Sequence, residues 1–351
     1  MAKEKEEKKA ISTLDIAKKA IIKKYGDVIK PMSDKPLVIN TISTRSIGLD
    51  AAIGRGGFAL GRIYEIFGDT GSGKTTLAIS LIAEAQSRGM NCVFVDAECS
   101  ADPKLFESTG VDLTKLTTIS LYTGEDNLSA AEMLMSTGEI DLVVIDSVTA
   151  LIPKVAADAS LDDNTIALLA RLMSKTLLRF VPIAAETQTC VIFINQTRNK
   201  IGAYGDPRIS TGGESLPFYA TGRIRVSGIG SKSNRISDEK GVIIGHKTTF
   251  EILKNKLAAP FTSAEVPLYY GIGYDNTAEI IKIATDLGIL VKSGSWYSYG
   301  GDNIGQGENG VRKFFEDNPD VFFVIKQETT DILGLTQFYD AQKAHDKSKL
   351  A

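Results

Sequence analysis

Between Gly68 and Thr75 the chain reads G-D-T-G-S-G-K-T, which fits the spacing G-x-x-x-x-G-K-[ST]. The run before it, RIYEIF (62–67), has strand character, and a helical stretch begins at Lys74. A strand, a glycine-rich turn of this spacing and a helix together make a loop that wraps phosphates. The glycines let backbone N–H groups close around the oxygens of a triphosphate. Lys74 adds a mobile positive charge at the β and γ groups, and Thr75 offers its hydroxyl to Mg²⁺. A chance glycine turn would need neither flank.

The rest of the chain agrees with that start. Three more apolar runs follow, CVFVDA (92–97), DLVVID (141–146) and CVIFIN (190–195), each too apolar to be half exposed. Parallel strands buried on both faces have this composition. Helical stretches begin at Lys74, near Pro103, near Asp126 and near Asp163, so the arrangement is βαβ, an α/β fold with a parallel sheet whose ligands bind at the C-terminal strand ends. After Gly213, RIRV, VIIGHKTTFEILKNK and VPLYY read as meandering strands of the same sheet. Composition shifts near Gly271, and residues 275–335 carry two helical patterns around SWYSY (295–299), which suggests a small α+β lobe.

The 351 residues divide into a polar tail and N-terminal helix (1–38), a core (39–270), the small lobe (271–341) and a polar tail (342–351) expected to fray. Between Ser12 and Tyr25, Leu14, Ile16, Ala17, Ile21 and Ile22 share one helical face, which either packs on its own domain or offers one sticky side. No run of about 18 uncharged apolar residues occurs, so no membrane contact is expected. Cys92, Cys99 and Cys190 form no C-x-x-C pair, and the expected location is a reducing cytoplasm. A net charge of −3 means that any polyanion must be met by a local basic cluster.

Further candidates lie at strand ends. Asp146 closes an apolar strand and can support the Mg²⁺ shell, though aspartate also closes strands as a turn residue. Glu98, just past VDA, can orient or deprotonate an attacking water, with Asp96 competing from the same strand end. Gln196 after FIN is either a γ-phosphate sensor or an ordinary strand-end amide. The next segment, 197–213, is long for an α/β connection and combines Arg198, Lys200 and Arg208 with Ile201 and Tyr204. Basic groups, an apolar wedge and a stacking aromatic suit single-stranded nucleic acid. A mobile surface loop with incidental charge is the alternative. The stretch 155–165 is acidic and would not by charge be read as a DNA contact.

These strings, in this order, resemble the bacterial RecA recombinase family, cellular or phage-encoded. The resemblance rests on TISTRSIGLDAAIGRGGFALGRIYEIFG (41–68), GSGKTT, VDAE, VVIDSVTAL, INQTR, STGG, LKNKLAAPF (253–261) and SWYSYGGDNIGQG (295–307), and it runs from about Thr13 to Leu335. It implies a RecA-like P-loop NTPase core with a mostly parallel central sheet, an N-terminal helix and a small C-terminal lobe that binds duplex DNA. The implied activity is that of a DNA-dependent ATPase and recombinase, with ATP and Mg²⁺ as cofactors. It would form a homo-oligomeric helical filament on single-stranded DNA, search double-stranded DNA for homology and exchange strands in DNA repair and the SOS response, with a repressor co-protease role among its partnerships.

Carried over by position, Gly68, Asp69, Thr70, Gly71, Ser72, Gly73, Lys74, Thr75 and Thr76 bind the nucleotide, Thr75 and Asp146 the metal, and Asp102 and Tyr270 the adenine side. Glu98 activates water and Gln196 senses the γ-phosphate, while Lys254 and Lys256 reach the neighbouring subunit's ATP. Phe218 relays nucleotide state across the subunit contact, and the 12–25 helix docks on the next protomer. Arg171 and Ser174 stand behind a first DNA loop, whereas Arg198, Lys200, Ile201, Tyr204, Gly212 and Gly213 belong to a second.

The chain also departs from the family pattern. Leu105 replaces an aromatic that stacks on adenine, a contact weakened or taken over by Phe106. Pro217 and Glu214 stand where lysine and asparagine are usual, and Gly300, Asn303 and Glu308 replace lysines of the last lobe, leaving Lys292 as the clearest match. Where many members of that family carry a strongly acidic tail, residues 342–351 read QKAHDKSKLA. Competing readings are a self-contained small-molecule kinase, a hexameric helicase-like ring and a nucleotide-gated scaffold that hydrolyses little.

Overall fold

Strands that must be buried on both faces have to be made of β-branched and large apolar residues, and four stretches of the chain qualify. Ile63, Tyr64, Ile66 and Phe67, then Cys92–Val95, Leu142–Ile145 and Cys190–Ile194, are all withdrawn from solvent. They form the centre of one large sheet in a computed structural model that describes residues 12–26, 28–29, 31–32, 39–159, 167–199, 208–228, 232–238 and 240–350.

The chain divides into two units, Met1–Ile39 and Asn40–Ala351. The first contains α1 (Thr13–Tyr25), started by a capping box between Ser12 and Asp15 and ended at Gly26, whose φ of +81° suits glycine. Leu14, Ile16, Ile21, Ile22 and Tyr25 are exposed on it.

The second unit opens with β1 (Thr41–Ile42), α2 (Ile47–Ile53) and β2 (Phe58–Ala59). There follow β3 (Ile63–Gly68), α3 (Lys74–Ser87), β4 (Cys92–Asp96), α4 (Pro103–Thr109), β5 (Leu116–Ile119), α5 (Gly124–Met135), β6 (Leu142–Asp146), α6 (Lys154–Ala157) and α7 (Leu168–Thr187). Next come β7 (Cys190–Asn199), β8 (Arg208–Ser210), α8 (Ser215–Tyr219), β9 (Gly222–Ser227), β10 (Arg235–Ser237), β11 (Ile243–Asn255), β12 (Ser263–Tyr269) and β13 (Gly273–Tyr274). The chain ends with α9 (Asn276–Asp286), the small sheet β14 (Val291–Ser293), β15 (Trp296–Tyr299) and β16 (Asp302–Gln306), then α10 (Gly307–Asp317), α11 (Pro319–Ile332) and α12 (Thr336–Leu350).

The main sheet runs β13-β12-β11-β9-β3-β7-β6-β4-β5. It is parallel from β9 to β5 and antiparallel from β9 outward through β11, β12 and β13. The strand order reverses around β3, whose end is the glycine loop, so the loop sits where an open α/β sheet accepts ligands. Core residues of β4, β6 and β7 pack against Leu172, Met173, Leu177 and Phe180 of α7.

Three features differ from the sequence reading. The C-terminal region holds α9, α10 and α11 where two helical patterns were expected, because Asn318-Pro319 breaks one pattern into two helices. The segment after Gln196 is not irregular throughout: β7 continues to Asn199 and pairs back antiparallel with β8, Thr197 opposite Ser210. The expected frayed tail from Gln342 is instead the second half of α12. Gln342 is buried and donates to Thr41 Oγ1 (2.8 Å) and Gly56 O (2.9 Å), while Arg88 grips Asp346 through two bonds of 2.9 Å. Long-range polar contacts, which local composition does not encode, hold it down. No described helix is long and apolar enough to cross a membrane.

Candidate nucleotide and DNA site

The phosphate loop is held by its neighbours as much as by its own glycines. Gly68 lies so close to β9 that a Cβ there would stand 2.1 Å from the Val226 carbonyl, and Gly73 takes φ +100° at the start of α3. A side chain at either place would clash or strain the turn. Tyr274, from the antiparallel edge, donates its hydroxyl to Gly73 O at 2.9 Å. Lys74 is buried and donates to Asp69 O at 2.7 Å. Burial holds its ammonium below the usual lysine range, against the opposing pull of Asp146, Glu98 and Asp69. Ser72 Oγ is buried, and among the described residues it has no hydrogen-bond partner.

Thr75 Oγ1 donates to Asp146 Oδ2 at 2.8 Å, which joins the start of α3 to the tip of β6. Burial pushes the Asp146 carboxyl up to about 6; the Thr75 bond and Lys74 pull it down, and Glu98 pushes it up. The two competing carboxylates past β4 have separate surroundings. Asp96 accepts from the backbone N–H of Ser100 (3.1 Å) and Ala101 (3.2 Å) and so closes the turn. Glu98 turns toward the neighbouring strand ends, where its Oε1 accepts from Gln196 Nε2 at 3.1 Å and from the Ser147 hydroxyl. Thr149 supports Ser147 at 2.7 Å. Ser147 was not singled out from sequence; its place directly after Asp146 is the one local signal that could have found it.

A cavity of about 270 Å³ opens beside the loop, lined by Gly71, Lys74, Thr75, Thr76, Leu105 and Tyr270 among others. Leu105 itself is part of the cavity wall. Phe106 does not take over the aromatic contact: it is buried against Phe94, ring centroids 5.1 Å apart, because the helical turn that presents Leu105 outward points the next side chain into the core. Asp102 lies outside that lining and caps α4 through Lys104 N at 3.0 Å. Tyr270 reaches His246 Nδ1 at 3.3 Å, and burial lowers the basicity of that imidazole.

Of the residues expected to contact DNA, Lys200, Ile201 and Tyr204 lie outside the described residues, as does the side chain of Arg198. Gly212 and Gly213 adopt φ +87° and +80°, and a Cβ on Gly213 would come within 2.9 Å of Ala170 Cβ on α7. Ser174 bonds Ser215 at 2.5 Å, which ties α7 to α8, and Arg171 is exposed on the same helix. Lys254 donates to the carbonyls of Pro217 (2.6 Å) and Phe218 (2.8 Å), and Lys256 makes weaker contacts with Phe218 and Tyr219 at 3.4 Å. Burial, then Lys256 and Arg223, hold the Lys254 ammonium below its usual range. Phe218 itself is exposed.

A parallel-centred sheet with this loop at its switch point and a carboxylate bonded to the loop's threonine from the tip of β6 defines a P-loop nucleoside triphosphatase. Comparison narrows the class. The RecA N-terminal domain family matches residues 12–275, and the RecA C-terminal domain family matches residues 278–334. Among curated relatives, Protein RecA of Lactobacillus acidophilus is 40% identical over 336 residues, covering 95% of this chain and 91% of the relative. Protein RecA of Desulforapulum autotrophicum is 40% identical over 325 residues, 92% of each chain. The chain belongs to the RecA family. It is a DNA-dependent ATPase and recombinase of DNA repair and the SOS response.

Proposed function

We propose that the chain hydrolyses ATP at a seam shared by adjoining copies, and that hydrolysis is coupled to its hold on single-stranded DNA within a helical filament that searches duplexes and exchanges strands. The observation that carries this reading is the cluster of Glu98 past β4, Ser147 past β6 and Gln196 on β7, since β7 is also the strand that runs into the basic segment. Glu98 orients and deprotonates the attacking water, and Gln196 exchanges its bond to Glu98 for the γ-phosphate. Lys74 holds the β and γ groups. Thr75 and Asp146 set a hydroxyl and a carboxylate side by side, the hard oxygen donors that Mg²⁺ takes. Bound there, Mg²⁺ would neutralise charge on the β and γ groups.

Lys254 and Lys256 are read as the cations that reach the next copy's ATP, so turnover requires assembly. Phe218 and α1 serve the subunit contact, with the apolar face of α1 covered by the adjoining protomer. Asp102 and Tyr270 face the adenine. Arg171, Ser174, Arg198, Lys200, Ile201, Tyr204, Gly212 and Gly213 contact or support single-stranded DNA. The lobe after residue 271 takes duplex DNA, with Lys292 as its clearest basic contact. The same reading places the protein in the cytoplasm with a self-cleaving repressor as a further partner.

ATP turnover measured with and without a single-stranded oligonucleotide, with electron microscopy of the same mixture, tests the whole. Stimulation with helical filaments is expected. Full-speed hydrolysis by dispersed single copies, indifferent to the oligonucleotide, would overturn it.

A further inference from the structure

Glu65 is a charged residue in the middle of a strand that is otherwise apolar, and it is fully buried. A buried ion pair is often no more stabilising than well-packed apolar residues of similar volume, so its presence calls for an explanation beyond holding the sheet together. Its two oxygens face opposite directions along the sheet. Oε1 accepts from Asn195 Nδ2 on β7 at 2.9 Å, and Oε2 accepts from Arg223 Nε on β9 at 2.5 Å.

Each partner leads on to a different functional part. Asn195 Oδ1 accepts from Gln196 N at 2.9 Å and from Thr211 Oγ1 at 2.5 Å, and its Nδ2 also reaches Thr211 O at 2.8 Å. One amide thus positions the backbone of the residue bonded to Glu98 and holds the far end of β8. Arg223 donates to Ser210 Oγ at 3.1 Å, lies over the Phe67 ring at 4.6 Å, and stands directly opposite Lys254 in the β9–β11 register. Strand pairing sets Lys254, Arg223 and Glu65 in one row across three strands. On the fourth strand the register partner of Glu65 is Phe193, and Asn195, two residues further on, joins the row through its hydrogen bond to Glu65.

We infer that Glu65 is a positioning residue, centred in a transverse row Lys254–Arg223–Glu65–Asn195–Thr211, that fixes the lysine strand and both stems of the DNA-contacting hairpin relative to Gln196. Loss of its charge uncouples DNA binding from turnover without weakening nucleotide binding. The field of Glu65 and Arg223 also acts on the Lys254 ammonium, in opposite senses. The inference rests on the proposed coupling between DNA and ATP turnover.

The test compares full-length wild type, Glu65→Gln, Asn195→Ala and their double variant in ATPase assays titrated with a single-stranded oligonucleotide. Wild type must first be stimulated by DNA; lack of stimulation there defeats the functional reading, not the role of Glu65. For Glu65→Gln the expected result is an ATP KM within about twofold of wild type and a DNA-stimulated kcat reduced roughly tenfold, within the usual range of coupling between sites. The double variant should lose no more than the larger single loss, because both act through one network. A second pair of substitutions guards against a merely structural effect. Glu65→Met with Arg223→Met removes both charges together, and thermal unfolding should return to the wild-type midpoint while DNA stimulation stays reduced. Unchanged stimulation in Glu65→Gln, or stimulation that returns with stability in the Met pair, overturns the inference.

Discussion

The nucleotide end of the sheet and the seam between α2 and the C-terminal helices are built on opposite plans. Around β4 and β6 apolar side chains fill both faces, and the carboxylates of these strands, Asp96 and Asp146, stand at their tips. At the seam, carboxylates are buried inside the packing. Asp50 accepts from Ser43 Oγ (2.5 Å), Thr44 N (2.9 Å), Thr44 Oγ1 (2.7 Å) and Tyr339 Oη (2.8 Å), so α12 is bonded to α2 through it. Glu279 of α9 accepts from Ser46 Oγ at 2.6 Å and Gly48 N at 3.0 Å, while its buried Oε2 has no hydrogen-bond partner among the described residues. Apolar packing tolerates change of partner and pH. Buried carboxylates hold a geometry only while each donor is in place, which makes the seam specific and condition-dependent.

The contrast can be broken first at the strand tips. Glu98→Gln keeps the shape of the cluster and removes the base, so nucleotide affinity should persist while turnover falls on the order of a thousandfold in single-turnover ATP hydrolysis. Thermal stability should barely move. Normal turnover would take Glu98 out of its role. At the seam the outcome should invert: Asp50→Ala strands four donors and should cost about 3 kcal/mol in denaturant unfolding, with the phosphate loop's own bonds intact.

Asp346→Ala probes α12, because Arg88 also donates to the Thr41 carbonyl at 2.7 Å and its own removal would disturb β1 as well. The Arg88–Asp346 pair is largely sheltered and doubly bonded, so its loss should loosen the helix by about 2 kcal/mol, seen as faster amide exchange confined to α12. Exchange that rises equally in β4 and β6 would mean that the seam is no separate unit.

The smallest effect is the pH dependence of the seam. Burial pushes the Glu279 carboxyl up to about 7 and that of Asp50 up to about 6, both above the ordinary carboxylate range of the unfolded chain. The folded state therefore binds protons that the unfolded state has already released. This stabilisation is complete below about pH 4 and is lost as pH rises through the folded values. For Glu279 alone the change between pH 6 and 8 amounts to about 1.4 kcal/mol, a tenfold faster opening of α9 by amide exchange at the higher pH. Glu279→Gln should flatten that slope, and an unchanged slope would assign it to another group.

The same two regions differ in how far they could be read in advance. The glycine loop, the apolar strands and the antiparallel extension follow from spacing and composition, because a strand buried on both faces and a turn that wraps phosphates each permit few residue types. Lys74, Thr75, Asp146, Glu98 and Gln196 were nameable for that reason. The direction a side chain takes after the strand ends was not. Asp96 turns into its own loop while Glu98 meets Gln196, a contact spanning nearly a hundred positions of sequence. Phe106 enters the core while Leu105 lines the cavity.

Nor could composition distinguish a frayed polar tail from α12. What holds Gln342 and Asp346 are Thr41, Gly56 and Arg88, brought near only by the completed fold. Local chemistry determined which elements form and which of them carry phosphate chemistry, because backbone preference and burial act over a few residues. Tertiary structure alone decided which buried carboxylates are bonded to which donors, because a hydrogen bond between residues far apart in the chain exists only after the sheet has set its register.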